Sequence, residues 1–317
     1  MAIDYNKILG NTFTLWYKDR ETLKYLLVYF LVTLAFTLLF LGALAFFFGG
    51  AVTTYLSLAN NMQGGALVVN EADSGVITSL IATLVSNIIP FILIIVPLFL
   101  IFIIAASYIQ TLLYCRSLQV LGFKTAPFDL MKLLRLFVLE IWVSVASMIS
   151  WYNKKFFMAF LGLIVLFFVA AIATIILGPI GAILFILWLL VFLVYFLVVI
   201  YNSLRLMFSS LIFLEKDQGI AQTTRDAWAF SEGKVVDILT SWLVVIIVVV
   251  IASFVLFIPS SIIQFALGFA NPLLGIAFSQ LYSMIISPIL MAFSVYGIVS
   301  IYAELSKTAA PKAKGRA

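Results

Sequence analysis

Hydrophobic residues dominate six runs of the chain, at 23–48, 78–112, 156–177, 180–203, 236–258 and 274–303. Each is long enough to cross a bilayer as a helix, which takes about 20 apolar residues. A helix is also the open-chain structure that satisfies its own backbone inside hydrocarbon. The pattern therefore predicts an all-α polytopic membrane protein with six transmembrane helices.

Between the runs, polar positions recur with helical rather than loop-like spacing. Before the first run, Asp4, Lys7, Asn11, Thr14 and Lys18 lie three and four residues apart, opposite Tyr5, Leu9, Phe13 and Trp16. A second amphipathic segment covers about 128–150, with Asp129, Lys132, Ser144 and Ser147 on one side. A third covers 219–232, where Ile220, Thr224, Ala227 and Trp228 oppose Gln222, Arg225 and Glu232. This is the pattern of helices lying along a membrane surface, and each leads into an odd-numbered span. Their ends place an aromatic four residues before a base: Trp16 and Arg20, Trp151 and Lys155, Phe230 and Lys234. The even spans end in Tyr114-Cys115-Arg116, in Tyr201 followed by Arg205, and in Tyr302-Ala303-Glu304. We read one membrane domain over 1–306, made of three helical hairpins, each preceded by a cytoplasmic amphipathic surface helix, with unit boundaries at about 1–122, 123–217 and 218–306. Residues 307–317 read as a disordered basic tail.

Charge fixes the orientation. All 18 Lys and Arg fall in the two tails and in the second and fourth connections, while 49–77, 178–179 and 259–273 contain none. Basic residues mark the cytoplasmic side, so both termini are expected there. The outer connections carry chain breakers instead: Gly49-Gly50, a tight Gly178-Pro179 hairpin with Gly181, and a third bracketed by Pro259 and Pro272. The first of them, with Glu71 and Asp73, is the only one long enough to hold substantial structure. Pro90 and Pro97 in the second span and Pro288 in the sixth are compatible with a gating hinge or with ordinary tolerance of proline in membrane helices.

Composition agrees: 317 residues, 65% hydrophobic, 10% charged, with mean hydropathy +1.24, leave too little polar surface for a soluble globule. The first span reads as an uncleaved anchor. A single cysteine excludes an internal disulfide, and the absence of His removes the commonest base and metal ligand. No cofactor or metal site is expected. The net charge of +5 points to anionic headgroups on the cytoplasmic side rather than to nucleic acid. The absence of glycosylation sequons together with the basic tail suits a prokaryotic plasma membrane.

Ionisable residues inside spans are the usual flags of function in membrane proteins, and every Asp lies in a tail, a connection or within a turn of a span end. Arg116, Arg205 and Glu304 occupy matching depths at the ends of the even spans, so they are expected to form a structural network, with Glu304 paired to one or both arginines, or to hold a lipid phosphate. Glu140 is expected to pair with Lys154 or Lys155. Asn87, Gln110, Asn202, Gln264 and Gln280 are expected to bond between helices or to line a path. Phosphate loops, nucleophile elbows and serines beside a base are absent from the sequence, so no catalytic residue is assigned.

The stretch RLMFSSLIFLEKDQGIAQTTRDAWAFSEG, Arg205 to Gly233, resembles the hallmark segment of the membrane domain appended to some bacterial glycerophosphodiester phosphodiesterases and of the related six-span YciC-like proteins. The matching positions are Arg205, Glu215, Gly219, Ala221, Arg225, Trp228 and Gly233; Asp226 departs from the pattern, where a Ser-like residue is commoner. The resemblance implies a membrane module of poorly defined activity, without the soluble phosphodiesterase domain. The expected function is that of a non-enzymatic scaffold or partner of another membrane protein or of itself, or of a module contacting inner-leaflet lipid. A transporter or channel for a lipid-like or small amphipathic solute is the alternative.

Overall fold

The computed structural model describes residues 3–62 and 71–309. It is all-helical, with ten helices among the described residues: α1 Tyr5–Lys18, α2 Arg20–Met62, α3 Glu71–Val120, α4 Leu130–Ile149, α5 Lys154–Leu177, α6 Pro179–Leu206, α7 Ser209–Lys216, α8 Ile220–Phe230, α9 Val235–Ala270 and α10 Pro272–Ala309. Six of them, α2, α3, α5, α6, α9 and α10, are long and apolar enough to cross a membrane, and the protein is a multi-pass membrane protein. The basic tail beyond Ala309 lies outside the described residues.

The connections expected on the outer side are shorter than their breakers suggest. Helix α2 passes Gly49-Gly50 and runs to Met62, α3 starts at Glu71, and α9 continues through Pro259 to Ala270. A proline ring removes one intrahelical bond, but unwinding a segment in hydrocarbon would leave several backbone groups unsatisfied, so the helix continues. The second connection is as tight as expected. Gly178 alone separates α5 from α6, at φ +55°, and a side chain on Gly181 would collide with the Ala173 carbonyl.

Two compact units make up the chain. Lys24–Gln110 and Gln264–Pro288 form one. In it, phenylalanines of α2 and α3 interlock, Phe36 stacking on Phe102 at 4.3 Å, and the Asn87 amide donates to the Phe47 carbonyl at 2.7 Å.

The other unit, Met1–Leu23, Thr111–Ile263 and Ile289–Ala317, holds a dense core. Short α7 supplies its centre: Leu211, Ile212, Phe213 and Leu214 are buried, with Phe208 just before them. Around them pack Leu118, Leu136, Leu139, Ala227, Ile238, Ile301 and Leu305 from α3, α4, α8, α9 and α10. Each such side chain withdrawn from water contributes about 2 kcal/mol. No periodicity flags α7 as a separate helix, because its apolar residues, Leu211 to Leu214, are consecutive rather than spaced and the break at Met207–Phe208 contains neither Gly nor Pro.

Helix α4 belongs to this unit, and its ends locate it. At its start, Lys132 lies 3.5 Å from Asp217. At its end, the Ser147 and Met148 carbonyls accept from Asn202 at 3.1 Å and Tyr195 at 2.8 Å. The helix thus runs antiparallel to the stretch from Tyr195 in α6 to the end of α7. Its polar face is also divided: Lys132 and Ser147 are buried, whereas Asp129 and Ser144 are exposed.

Candidate functional site

Three polar corners form where a short helix hands the chain to a long one, all in the unit with the dense core. At the first, Asp19 caps α1, its N–H donating to the Leu15 carbonyl. Its carboxylate then accepts the Thr22 N–H at 3.1 Å and hydroxyl at 2.8 Å at the start of α2. Arg116 closes on the same carboxylate as a two-pronged fork, Nε to Oδ2 at 2.8 Å and Nη2 to Oδ1 at 2.6 Å, the strong geometry for this pair. The fork holds the Asp19 carboxyl down at about 2, against partial burial that pushes it up and with help from Thr22. The Thr22 hydroxyl continues to the Tyr296 hydroxyl at 2.7 Å, so the corner joins α1, α2, α3 and α10.

Among the described residues, the second corner holds no ion pair. Ser150 ends α4 in the left-handed region, at φ +57°. That turn brings its hydroxyl to 2.9 Å from the Tyr195 hydroxyl and 2.7 Å from the Asn202 amide, which donates to it. Asn153 then caps α5 by accepting the Lys155 and Phe156 N–H groups. Trp151 is exposed and packs edge-on against Trp142 and Phe157.

At the third corner Arg205, 9% exposed, donates to the Trp228 carbonyl at 2.7 Å and the Ser231 hydroxyl at 3.2 Å. Its guanidinium carbon lies 3.8 Å from the centre of a Trp228 ring, a cation–π contact in a desolvated setting, and Tyr152 stacks on the same indole. Nearby, Phe208, Phe230 and Tyr302 enclose one another, and the Tyr302 hydroxyl donates to Glu215 at 2.6 Å. Lys234 sits 4.5 Å over the Phe230 ring and donates to the Leu305 carbonyl.

The expected trio therefore does not assemble. Arg116 takes Asp19, Arg205 takes Trp228 and Ser231, and the Glu304 carboxylate is engaged by Lys307 at 2.6 Å and Lys7 at 3.4 Å. Helical rotation explains this: equal depth on three helices does not aim three side chains at one point, and each finds the nearest counter-group instead. Of the three aromatic–base pairs, Phe230 and Lys234 meet; Trp16 turns onto Phe293 and Trp151 onto Trp142 and Phe157, and Arg20 and Lys155 are exposed, as is Arg225 on α8. Glu140 is exposed as well, and among the described residues it forms no ion pair.

Asp226 gains a clear role. Its carboxylate accepts from Lys216, Gln218 and Gln222 at 2.8–3.0 Å, and the Lys216 ammonium holds it below the usual carboxylate range against a desolvation that opposes the shift. A Ser-like residue there would lack the charge that fastens α8 to the end of α7. Asp19 is the residue sequence reasoning missed. Its position between two helical segments, three residues before Thr22, is the available signal, because an acid at a helix start followed by a hydroxyl at the third position marks a cap.

A groove of about 210 Å³ lies between α9 and α10, lined by apolar side chains such as Trp242, Val249 and Ile298 together with Ser294. Arg116, Arg205 and Glu304 are not among its lining residues. Compared with protein-family models, curated proteins and solved structures, the chain matches none.

Proposed function

We propose that the chain is a non-enzymatic scaffold of a prokaryotic plasma membrane, a partner subunit for other membrane proteins or for itself. Both termini lie in the cytoplasm, as the one-sided Lys and Arg distribution suggests. The six spans pair as three hairpins, with α1, α4 and α8 at the inner face, where Arg20, Lys155 and Arg225 are free to meet anionic headgroups. On this reading the likeness of Arg205–Gly233 to the phosphodiesterase-linked and YciC-like membrane domains reflects a shared membrane module.

The observation that carries the proposal is how the polar groups at the corners are used. Arg116, Arg205, Glu304, Asp226 and Tyr302 all bind other parts of the same chain, which suits side chains that hold helices together. The alternative, a carrier of lipid-like or small amphipathic solutes, rests on the groove at Trp242, where neither arginine is at hand to receive a phosphate.

The test is extraction of the full chain directly into native-lipid nanodiscs, followed by mass spectrometry of the co-purified proteins and lipids. A stoichiometric protein partner or a second copy is the expected result. Saturable counterflow of an amphipathic solute in proteoliposomes, with no protein partner, would replace the scaffold reading by the carrier.

A further inference from the structure

A serine or threonine inside a helix commonly turns its hydroxyl back onto its own backbone. On α9 and α10, Thr240, Ser253, Ser294 and Ser306 each donate to a carbonyl four residues earlier, at 2.7–3.0 Å. Ser241 on α9 and Ser300 on α10 do not. Both are 0% exposed, and among the described residues neither hydroxyl has a hydrogen-bond partner, not even the other. Buried polar groups are paired as a rule, because an unpaired one keeps the full cost of leaving water.

Two contacts set α9 against α10. Lys234 donates to the Leu305 carbonyl at 3.1 Å, and a side chain on Gly297 would meet Val245 at 2.5 Å. Numbers rise along one helix as they fall along the other, so the pair is antiparallel here. Ser241 lies four residues from Val245 and Ser300 three from Gly297, both toward the Lys234–Leu305 contact. Spacings of three and four keep residues on one helix face. At about 1.5 Å per residue, the two serines come within about 2 Å of the same level. They therefore face each other across the seam, one turn from the point where Gly297 lets the helices close. Helix α1 covers the same stretch. The Tyr5 hydroxyl is 3.2 Å from that of Thr240, Lys7 pairs with Glu304 at 3.4 Å, and the Thr12 hydroxyl is 3.6 Å from where a Gly297 side chain would begin. Ile8, 0% exposed, falls between those contacts.

We infer that one water molecule is bound at this junction, bridging the Oγ atoms of Ser241 and Ser300. Each hydroxyl can donate or accept, so a single water satisfies both at once. Charge selects water over an ion. Of the acids one turn away along the two helices, Asp237 is exposed and Glu304 is engaged by Lys7 and Lys307, which leaves neutral hydroxyls to hold the ligand. Two of them do not offset the hydration a bare ion would lose. An apolar occupant would leave both hydroxyls unpaired. The water pins α9 to α10 on the face that α1 covers.

The test pairs a crystal structure of the full chain, grown in lipidic cubic phase and resolving ordered water, with a double-substitution cycle. One spherical density is expected about 2.7–2.9 Å from both Oγ atoms, gone from the Ser241→Ala, Ser300→Ala double variant. Each single alanine should lower the thermal unfolding midpoint by about 2–4 °C. The double variant should fall no further than the worse single, because the first substitution already breaks the bridge. A direct bond between the serines would overturn the inference, as would hydroxyls turned onto the Asp237 and Tyr296 carbonyls with no density between them. So would additive losses, single variants without effect, or a density that persists in the double variant, which would make it a water held by backbone alone.

Discussion

The first and second corners solve one problem with opposite chemistry. At each, a short helix ends, the chain turns, and a long apolar helix begins, leaving backbone groups that must find partners. Around Asp19 the partners are ionic: a carboxylate, a guanidinium fork and a hydroxyl relay to Tyr296. Around Ser150 they are neutral: a hydroxyl, an amide and a phenol. The charged corner gathers four helices and the neutral one three, α4, the start of α5 and α6. A charge fork is worth its desolvation where an arginine can reach from a third element; a neutral network suffices where the neighbours are already close. The two corners should therefore differ in how much one substitution costs and in whether pH matters.

The largest effect is expected at the charged corner. Arg116→Ala leaves the Asp19 carboxylate, 14% exposed, with Thr22 alone, and the loss of a partner from a partly buried pair costs about 2–3 kcal/mol. Unfolding in mild detergent, followed by near-ultraviolet circular dichroism, would measure it. Arg116→Lys keeps the charge but loses the fork, and should recover less than half of the difference. Equal stability of both variants and the unsubstituted chain would remove the distinction between the corners.

Much of this architecture is legible in the sequence, and what is not has a physical cause. The six long helices follow from runs such as 156–177 and 180–203, because a bilayer imposes length and apolarity on any span. The short helices at 130–149 and 220–230 fall inside the predicted amphipathic segments, since cap residues such as Asp129 fix a start whatever surrounds them. Partner choice is different in kind. Arg116 meets Asp19 from 97 positions away, and the Lys7 that reaches Glu304 lies at the other end of the chain; such pairings depend on rotation about helix axes, which depth along a span does not encode. Helix α7 was hidden for another reason: its four central residues, Leu211 to Leu214, are apolar and buried in succession, which leaves no spacing to mark a period.

A smaller loss is expected at the neutral corner. Asn202→Leu deletes the donor to Ser150 and to the Ser147 carbonyl, leaving buried acceptors unpaired at about 1–2 kcal/mol. Asn202 is buried with its own oxygen unpartnered, so relief of that group offsets part of the cost. A double substitution with Arg116→Ala should be close to additive, since the two sites share no partner. A coupling above about 0.5 kcal/mol would mean that the corners act as one unit.

The pH response should separate the corners at the smallest energetic scale. Asp19 is held at about 2 in the folded chain, below the ordinary carboxylate near 3.9. A depressed carboxyl contributes stability that is fully present above its unfolded value and fades as pH falls toward the folded one. The window is therefore roughly pH 4 down to 2, and partial exposure of the pair limits the loss to about 1 kcal/mol. Only the part of the acid response that disappears with Arg116→Ala belongs to the fork, because Asp226 is also depressed, by Lys216, and titrates in the same direction. In the Asn202→Leu chain that part should remain whole, since the Ser150, Tyr195 and Asn202 side chains carry no group that titrates between pH 2 and 4. Unfolding midpoints at pH 2.5 and pH 6, compared between Arg116→Ala and Asn202→Leu, would show it: the gap between the two variants should narrow in acid. A constant gap would mean that the Asp19 carboxylate is not where the charged corner's stability resides.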